Sequence, residues 1–203
     1  MSVAMALVDY IPVALFLAGA VILQRTLYSL MSKGAFALFS AGTITVFVAG
    51  LFKATWKLLY AAGICDFAAL NKCFFPMQTT GFVLAGLGMI ALICHKQGKN
   101  TMYAAAPPVF ASSMPFVFLM IFGVAAMDVC LCIVAKRRKH TLSALLYVIS
   151  FIFTLAMGYL SSKDFAEASM NWIAEGVNTV GQLLFFLGAY LMREKKQAAK
   201  NNR

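Results

Sequence analysis

Six stretches of this chain are each long and apolar enough to cross a lipid bilayer, and only short linkers join them. They are Tyr10–Leu30, Gly34–Phe52 with an extension to Tyr60, Asn71–Cys94, Ser113–Ala135, Thr141–Leu160 and Ser169–Met192. A hydrocarbon core about 30 Å thick takes about 20 helical residues to span. In lipid, every backbone N–H and C=O must find a partner within the protein, and a helix meets that demand on its own. The expected fold class is an all-α integral membrane protein with six transmembrane helices. Composition agrees, with 62% of the 203 residues apolar and 12% charged. The charged share is about half that of an ordinary soluble domain. No soluble domain fits among the linkers, so residues 1–192 read as a single polytopic domain and 193–203 as a basic cytoplasmic tail.

The first segment does not read as a cleaved signal. It has no basic leader: the first ionisable side chain is Asp9, Pro12 follows, and the apolar run continues beyond. The net charge of +10 comes from basic residues between the apolar segments, above all "KRRK" at 136–139, and from the tail "REKKQAAKNNR". Membrane topology produces that distribution, so nucleic acid is not an expected partner. A cytoplasmic N-terminus places twelve basic residues inside and five outside. Both termini are then expected in the cytoplasm, across a plasma or bacterial inner membrane. The linker carrying Pro107–Pro108 is expected outside, as a loop or interfacial segment, and so is Lys163.

The third and sixth segments align at an offset of 100. "NKCFFPMQTTGFVLAGLG" lies over "NWIAEGVNTVGQLLFFLG", matching Asn71 with Asn171, Thr79 with Thr179, Gly81 with Gly181 and Gly88 with Gly188, and setting Gln78 over Asn178. The first and fourth segments align at an offset of 103, with Pro12 over Pro115. Two three-helix halves follow, approximately 8–96 and 112–193. If successive spans alternate in direction, three per half makes the repeat inverted, with a pseudo-two-fold axis in the membrane plane.

The sixth segment carries a stripe of polar residues. Asn171, Glu175, Asn178 and Gln182 are spaced four, three and four apart, which places them on one helical face. Such groups are costly against acyl chains, so the stripe is expected to face the bundle interior. Hydrogen bonding between helices and a solvated cavity compete as its purpose. Gly81 with Gly88, and Gly181 with Gly188, are spaced for close approach of a neighbouring helix.

Alternating spans also assign depths. Glu175 and Arg25 both fall ~20 Å above the inner face, and Asp128 falls ~10 Å above it, level with Gln78. An outer polar centre of Arg25 with Glu175 is expected, and an inner one of Asp128 with Gln78 and Lys53. Snorkelling toward headgroups is the competing explanation for Arg25 and Lys53. Trp56 and Tyr60 fit an interfacial belt.

The five cysteines contain no C-x-x-C pair, and the two histidines, His95 and His140, lie at segment ends. No metal-ligand set, hydrolase elbow or nucleotide loop is present in the sequence, so neither metal nor cofactor is expected. The reading that results is a small transporter or channel that moves a small polar solute or ion. Its pathway residues are Arg25, Gln78, Asp128, Asn171, Glu175, Asn178 and Gln182. A ligand-binding, sensing or accessory membrane subunit is the alternative, and an intramembrane enzyme the third. The bilayer and a small polar molecule or ion are the expected partners, with a second copy or a partner subunit the further class the short loops allow.

Overall fold

The computed structural model describes residues 2–94, 113–160 and 168–201. Among them all regular structure is helical: α1 (Val3–Val8), α2 (Tyr10–Leu27), α3 (Lys33–Ala61), α4 (Ala68–Lys72), α5 (Phe74–Cys94), α6 (Ser113–Arg137), α7 (Thr141–Leu160) and α8 (Ala168–Asn201). Five segments are long and apolar enough to cross a membrane: Val3–Leu27, Lys33–Ala61, Ala68–Cys94, Phe116–Arg137 and Thr141–Leu160. The sixth expected span lies within α8, which has the length, but its acid and amides lower its hydropathy. The linker with Pro107–Pro108, together with His95 and Lys163, lies outside the described residues.

The helix ends follow from local chemistry. Pro12, Pro76 and Pro115 are each the third residue of their helix, within the first turn, where no intrahelical partner awaits the missing N–H. Ser32 caps α3 by accepting from the Ala35 amide at 3.2 Å. At the other end of α3, Gly63 takes φ +68°. Its amide donates to the Tyr60 carbonyl, and that of Ile64 to Leu59, a left-handed closure that favours glycine. The α6–α7 turn uses the same closure on Lys139, at φ 61°, with Lys139 and His140 amides donating to Lys136 and Ala135.

Each long helix packs on the next, and α8 closes on α2, so that α2, α3, α5, α6, α7 and α8 form a ring. Their directions can be read from paired contacts. Between α2 and α3, Tyr10 meets Thr55 and Gln24 meets Thr43, an antiparallel pair. Gly81 lies by Val46 and Gly88 by Phe39, so α3 and α5 are antiparallel as well. α5 and α6 run parallel: Thr79 donates to the Phe116 carbonyl, and Gly86 approaches Gly123 and Ala126. α7 and α8 are antiparallel, with Gly181 by Phe153 and Gly188 by Tyr147. α2 and α8 run parallel, with Phe16 stacked on Phe185 and Gly19 against Phe185 and Phe186.

These directions correct two expectations. An inverted repeat needs α6 to run against α2, yet both run from the end that holds Asp9 (the Asp9 end) to the end that holds the α6–α7 turn (the His140 end). The start of α2 and the end of α8 accordingly lie at opposite ends of the bundle rather than sharing one. Both expectations assumed that consecutive spans alternate; α5 and α6 run parallel, and the linker that joins them, residues 95–112, lies outside the described residues.

Packing is uneven along the bundle. Leu23, Leu27, Phe39, Met89, Leu131, Tyr147 and Met192 are fully buried and all lie toward the His140 end. Outward positions carry large apolar side chains, such as Phe118 at 71% exposure and Ile152 at 56%. In water such a surface would aggregate; in acyl chains it is solvated. The α3–α5 contact is the tightest. A Cβ on Gly42 would collide with the Ala85 amide nitrogen and the Gly81 carbonyl, and one on Gly88 would lie 2.7 Å from the Ala35 carbonyl and the Phe39 nitrogen. Backbone atoms cannot step aside as a side chain can. Gly42→Ala and Gly88→Ala should each destabilise the protein by about 1–3 kcal/mol, as overpacking does. Gly158→Ala, whose added methyl meets nothing within 4 Å, should change little. Thermal unfolding in detergent checks this, and equal shifts for all three variants would contradict the packing.

Candidate functional site

α8 turns Glu175, Asn178 and Gln182 toward the ring interior, where three cavities adjoin. The cavity nearest the Asp9 end, about 70 Å³, is lined by Asp9, Lys53, Lys57, Phe74, Met157, Glu175 and Asn178, among others. A central cavity of about 80 Å³ is bordered by Pro12, Phe16, Gly50, Phe74, Gln78, Phe82, Asn178 and Gln182. The two share Val13, Gly50, Phe74 and Asn178. A third, of about 10 Å³, lies among Phe16, Phe82, Met127, Asp128, Ser150, Thr154, Gln182 and Phe185. The central and third cavities share Phe16, Phe82 and Gln182. The stripe thus threads all three: Glu175 in the first, Asn178 in the first and second, Gln182 in the second and third.

The facing side of the central cavity comes from α5, through Phe74, Gln78 and Phe82 at i, i+4 and i+8. A four-residue step keeps side chains on one helical face. Gln78 and Asn178, which occupy aligned positions in the two halves, line the same cavity. Aromatic rings close the central cavity toward the His140 end. Phe16 stacks on Phe185 with centroids 5.5 Å apart and meets Phe82 edge-on at 6.2 Å.

Charges concentrate in the first cavity. Asp9 sits at the junction of α1 and α2 and is buried. The Lys57 ammonium binds Asp9 Oδ2 and lies 4.0 Å from Glu175 Oε2. Asp9 and Glu175 also place their carboxyl groups within hydrogen-bonding reach of one another, each with a buried oxygen that no N–H or O–H of the described residues reaches. Lys53, one turn from Lys57, places its ammonium 4.0 Å from the centre of the Phe74 ring. That is cation–π geometry, and Phe74 borders both larger cavities. Two carboxyl groups, two ammoniums and an aromatic face thus meet the space beside Asn178.

The expected polar centres are rearranged. Glu175 is buried, and the ammonium within 4.0 Å of it is that of Lys57, not the Arg25 guanidinium. Arg25 is exposed near the far end of α2, about 24 Å along the helix from Asp9 at 1.5 Å per residue. Asp128 is buried, but it shares its cavity with Gln182 and the α7 hydroxyls rather than with Gln78 or Lys53. Gln78 lines the central cavity, and Lys53 the first. Asn171 is half-buried and borders none of the three. Asp9 and Lys57 were missed as site residues. The available signals were an acid inside an otherwise apolar N-terminal run, and Lys53 with Lys57 at i, i+4 on one face of a long apolar helix.

Fold and interior together define an all-helical, multi-pass membrane protein with a row of polar side chains on adjoining interior cavities. No family model matches the chain, and no curated protein or solved structure resembles it significantly.

Lys57 holds two carboxylates, so its removal leaves uncompensated buried charge. Lys57→Met should cost on the order of 2 kcal/mol, allowing for the partial exposure of the ammonium. Asp9→Asn in the same chain should recover part of that loss. Denaturant titration in detergent measures both, and a neutral Lys57→Met would show that the cluster contributes nothing to the fold.

Proposed function

We propose that this chain is a small carrier for a polar solute, which binds between Glu175 and Gln182 in the first and central cavities. The observation that carries this reading is the α8 stripe running through three adjoining cavities and meeting the Phe16–Phe82–Phe185 layer. Helix pairing alone would need complementary side chains against each amide. Thr79, the hydroxyl nearest in sequence to Gln78, is turned instead toward the Phe116 carbonyl of α6. Together the two larger cavities offer room for several waters or a ligand of comparable size. The open Asp9 half and the packed His140 half suit the resting state of a carrier that receives solute at the Asp9 end.

The two halves fit a parallel repeat, whose axis lies along the membrane normal. Four observations support it. α2 and α6 point the same way, and so do α5 and α8. Gly81 and Gly88 pack on α3, the preceding helix of their half, while their aligned partners Gly181 and Gly188 pack on α7. Gly19 of α2 packs against Phe186 of α8 and Gly123 of α6 against Gly86 of α5, the matching helix pairs, although Gly123 lies one residue beyond the position aligned with Gly19. Such an axis brings Gln78 and Asn178 to one depth, as their shared cavity requires.

Basic residues orient the bundle. Arg25, Lys33, Lys136, Arg137, Arg138, Lys139 and Arg193 lie toward the His140 end, against Lys53, Lys57 and Lys72 toward the Asp9 end. By the positive-inside rule the His140 end is cytoplasmic and the cavities open to the opposite side.

Purified protein in proteoliposomes, offered radiolabelled amino acids, nucleosides and sugars, should accumulate at least one of them. Asn178→Leu and Gln182→Leu should remain folded and lower that uptake about tenfold or more, the loss expected when polar recognition is removed from a desolvated site. Binding without uptake would favour the sensing or accessory role. If both variants unfold, the amides serve packing and the carrier reading fails.

A further inference from the structure

Asp128 lies beyond the aromatic layer, in the cavity that the solute path does not use. It is 4% exposed, and its Oδ1 has no hydrogen-bond partner among the described residues. No lysine, arginine or histidine is among the residues that line its cavity. A carboxylate held this way needs a positive charge or a proton. The other polar lining is Ser150, Thr154 and Gln182. Both hydroxyl protons are already committed. Ser150 donates to the Gly181 carbonyl at 2.9 Å, and Thr154 to the Ser150 carbonyl at 3.1 Å. What these hydroxyls can still offer is oxygen lone pairs. Gln182 adds a carboxamide oxygen.

We propose that Asp128, Ser150, Thr154 and Gln182 form a site for one sodium ion. The donors are all hard oxygens, the set that alkali and alkaline-earth cations take and thiophilic metals do not. One carboxylate balances one positive charge, and a divalent ion would be left half-compensated in a low-dielectric interior. The cavity, about 10 Å³, holds a single water-sized particle, which suits sodium better than the larger potassium. Three of the four ligands come from α7 and α8, and Asp128 comes from α6, so the ion ties three helices together across the second half of the bundle. Gln182 also borders the central cavity. That placement connects ion and solute sites through one side chain, and it is where a coupling ion would sit in the carrier proposed above. Binding of the ion does not itself depend on transport.

The test uses the purified full-length chain in detergent. Thermal unfolding is followed as sodium chloride is raised at constant ionic strength, with potassium chloride and choline chloride as the exchanged salts. Sodium should raise the melting temperature saturably, and the other two should not. Radioactive sodium should bind at one ion per chain under the same conditions. Asp128→Asn should abolish the sodium-specific shift. Thr154→Val, which keeps the shape and removes one oxygen, should weaken apparent sodium affinity by about tenfold, the equivalent of one lost ligand. Should Asp128→Asn fail to fold, the wild-type salt comparison and Thr154→Val decide the matter. The proposal is overturned if sodium gives no more stabilisation than choline, if the shift survives in Asp128→Asn, or if stability follows pH alone, which would put a proton on Asp128 in place of the ion. None of these results depends on uptake, so a failed sodium site leaves the carrier reading to its own experiment.

Discussion

A carboxylate or amide set against acyl chains loses its hydrogen bonds to water and gains nothing in return. α8 carries three such groups within eight residues, Glu175, Asn178 and Gln182. The helix can therefore sit in a bilayer in one rotational setting, with that stripe turned inward. The rest of the bundle answers to this constraint. α2 and α7 flank α8 through contacts that leave the stripe free, Gly19 on one side and Gly181 and Gly188 on the other. α5 stands across the interior and supplies Gln78 between Phe74 and Phe82. Lys57 and Asp9 complete the charge balance around Glu175 at the open end.

Close backbone contacts set how much space remains. Where α3 and α5 meet through Gly42, Gly81 and Gly88, no side chain intervenes and the helices touch. Such contacts gain dispersion energy from close approach, the main attraction left once lipid removes the hydrophobic drive between helices. Toward the His140 end, Leu23, Phe39, Met89, Leu131 and Tyr147 are fully buried, and the cavity beyond the phenylalanine layer is the small one at Asp128. Toward the Asp9 end, charged and amide groups take their place, and the packing opens into cavities. The boundary is the cluster of Phe16, Phe82 and Phe185.

The spans and the stripe were legible because both are periodic. Apolar runs of about 20 residues give the helices, and a spacing of three and four gives the face. The pairing of Gln78 with Asn178 was also visible, as an alignment. Helix direction was not legible, because no local pattern encodes which way a span runs. Alternation was assumed, and it placed Arg25 beside Glu175 and Gln78 beside Asp128. That Gln78 and Asn178 line one cavity is a fact of the structure and could not be read from their alignment. Lys53 and Lys57 read as anchors at an inner rim. Their site role emerges only when α3 is seen to bring them level with Asp9 and the start of α8. Asn171, on the same stripe by spacing, falls beyond the cavities.

If the α8 stripe lines a path that solvent enters from the Asp9 end and that the phenylalanine layer closes, its residues are reachable from that end in order of depth. Single cysteines at Glu175, Asn178, Gln182 and Ala189, in a chain whose five native cysteines are replaced, can be challenged in oriented proteoliposomes with a membrane-impermeant thiol reagent. Val180 and Leu183, 41% and 40% exposed on the outer face of the same helix, serve as lipid-facing controls. The positions at Glu175 and Asn178 should react from the Asp9 side alone, that at Gln182 more slowly, and those at Ala189, Val180 and Leu183 not at all. Reaction of Ala189 from the Asp9 side, or no difference between Asn178 and Val180, would contradict the account.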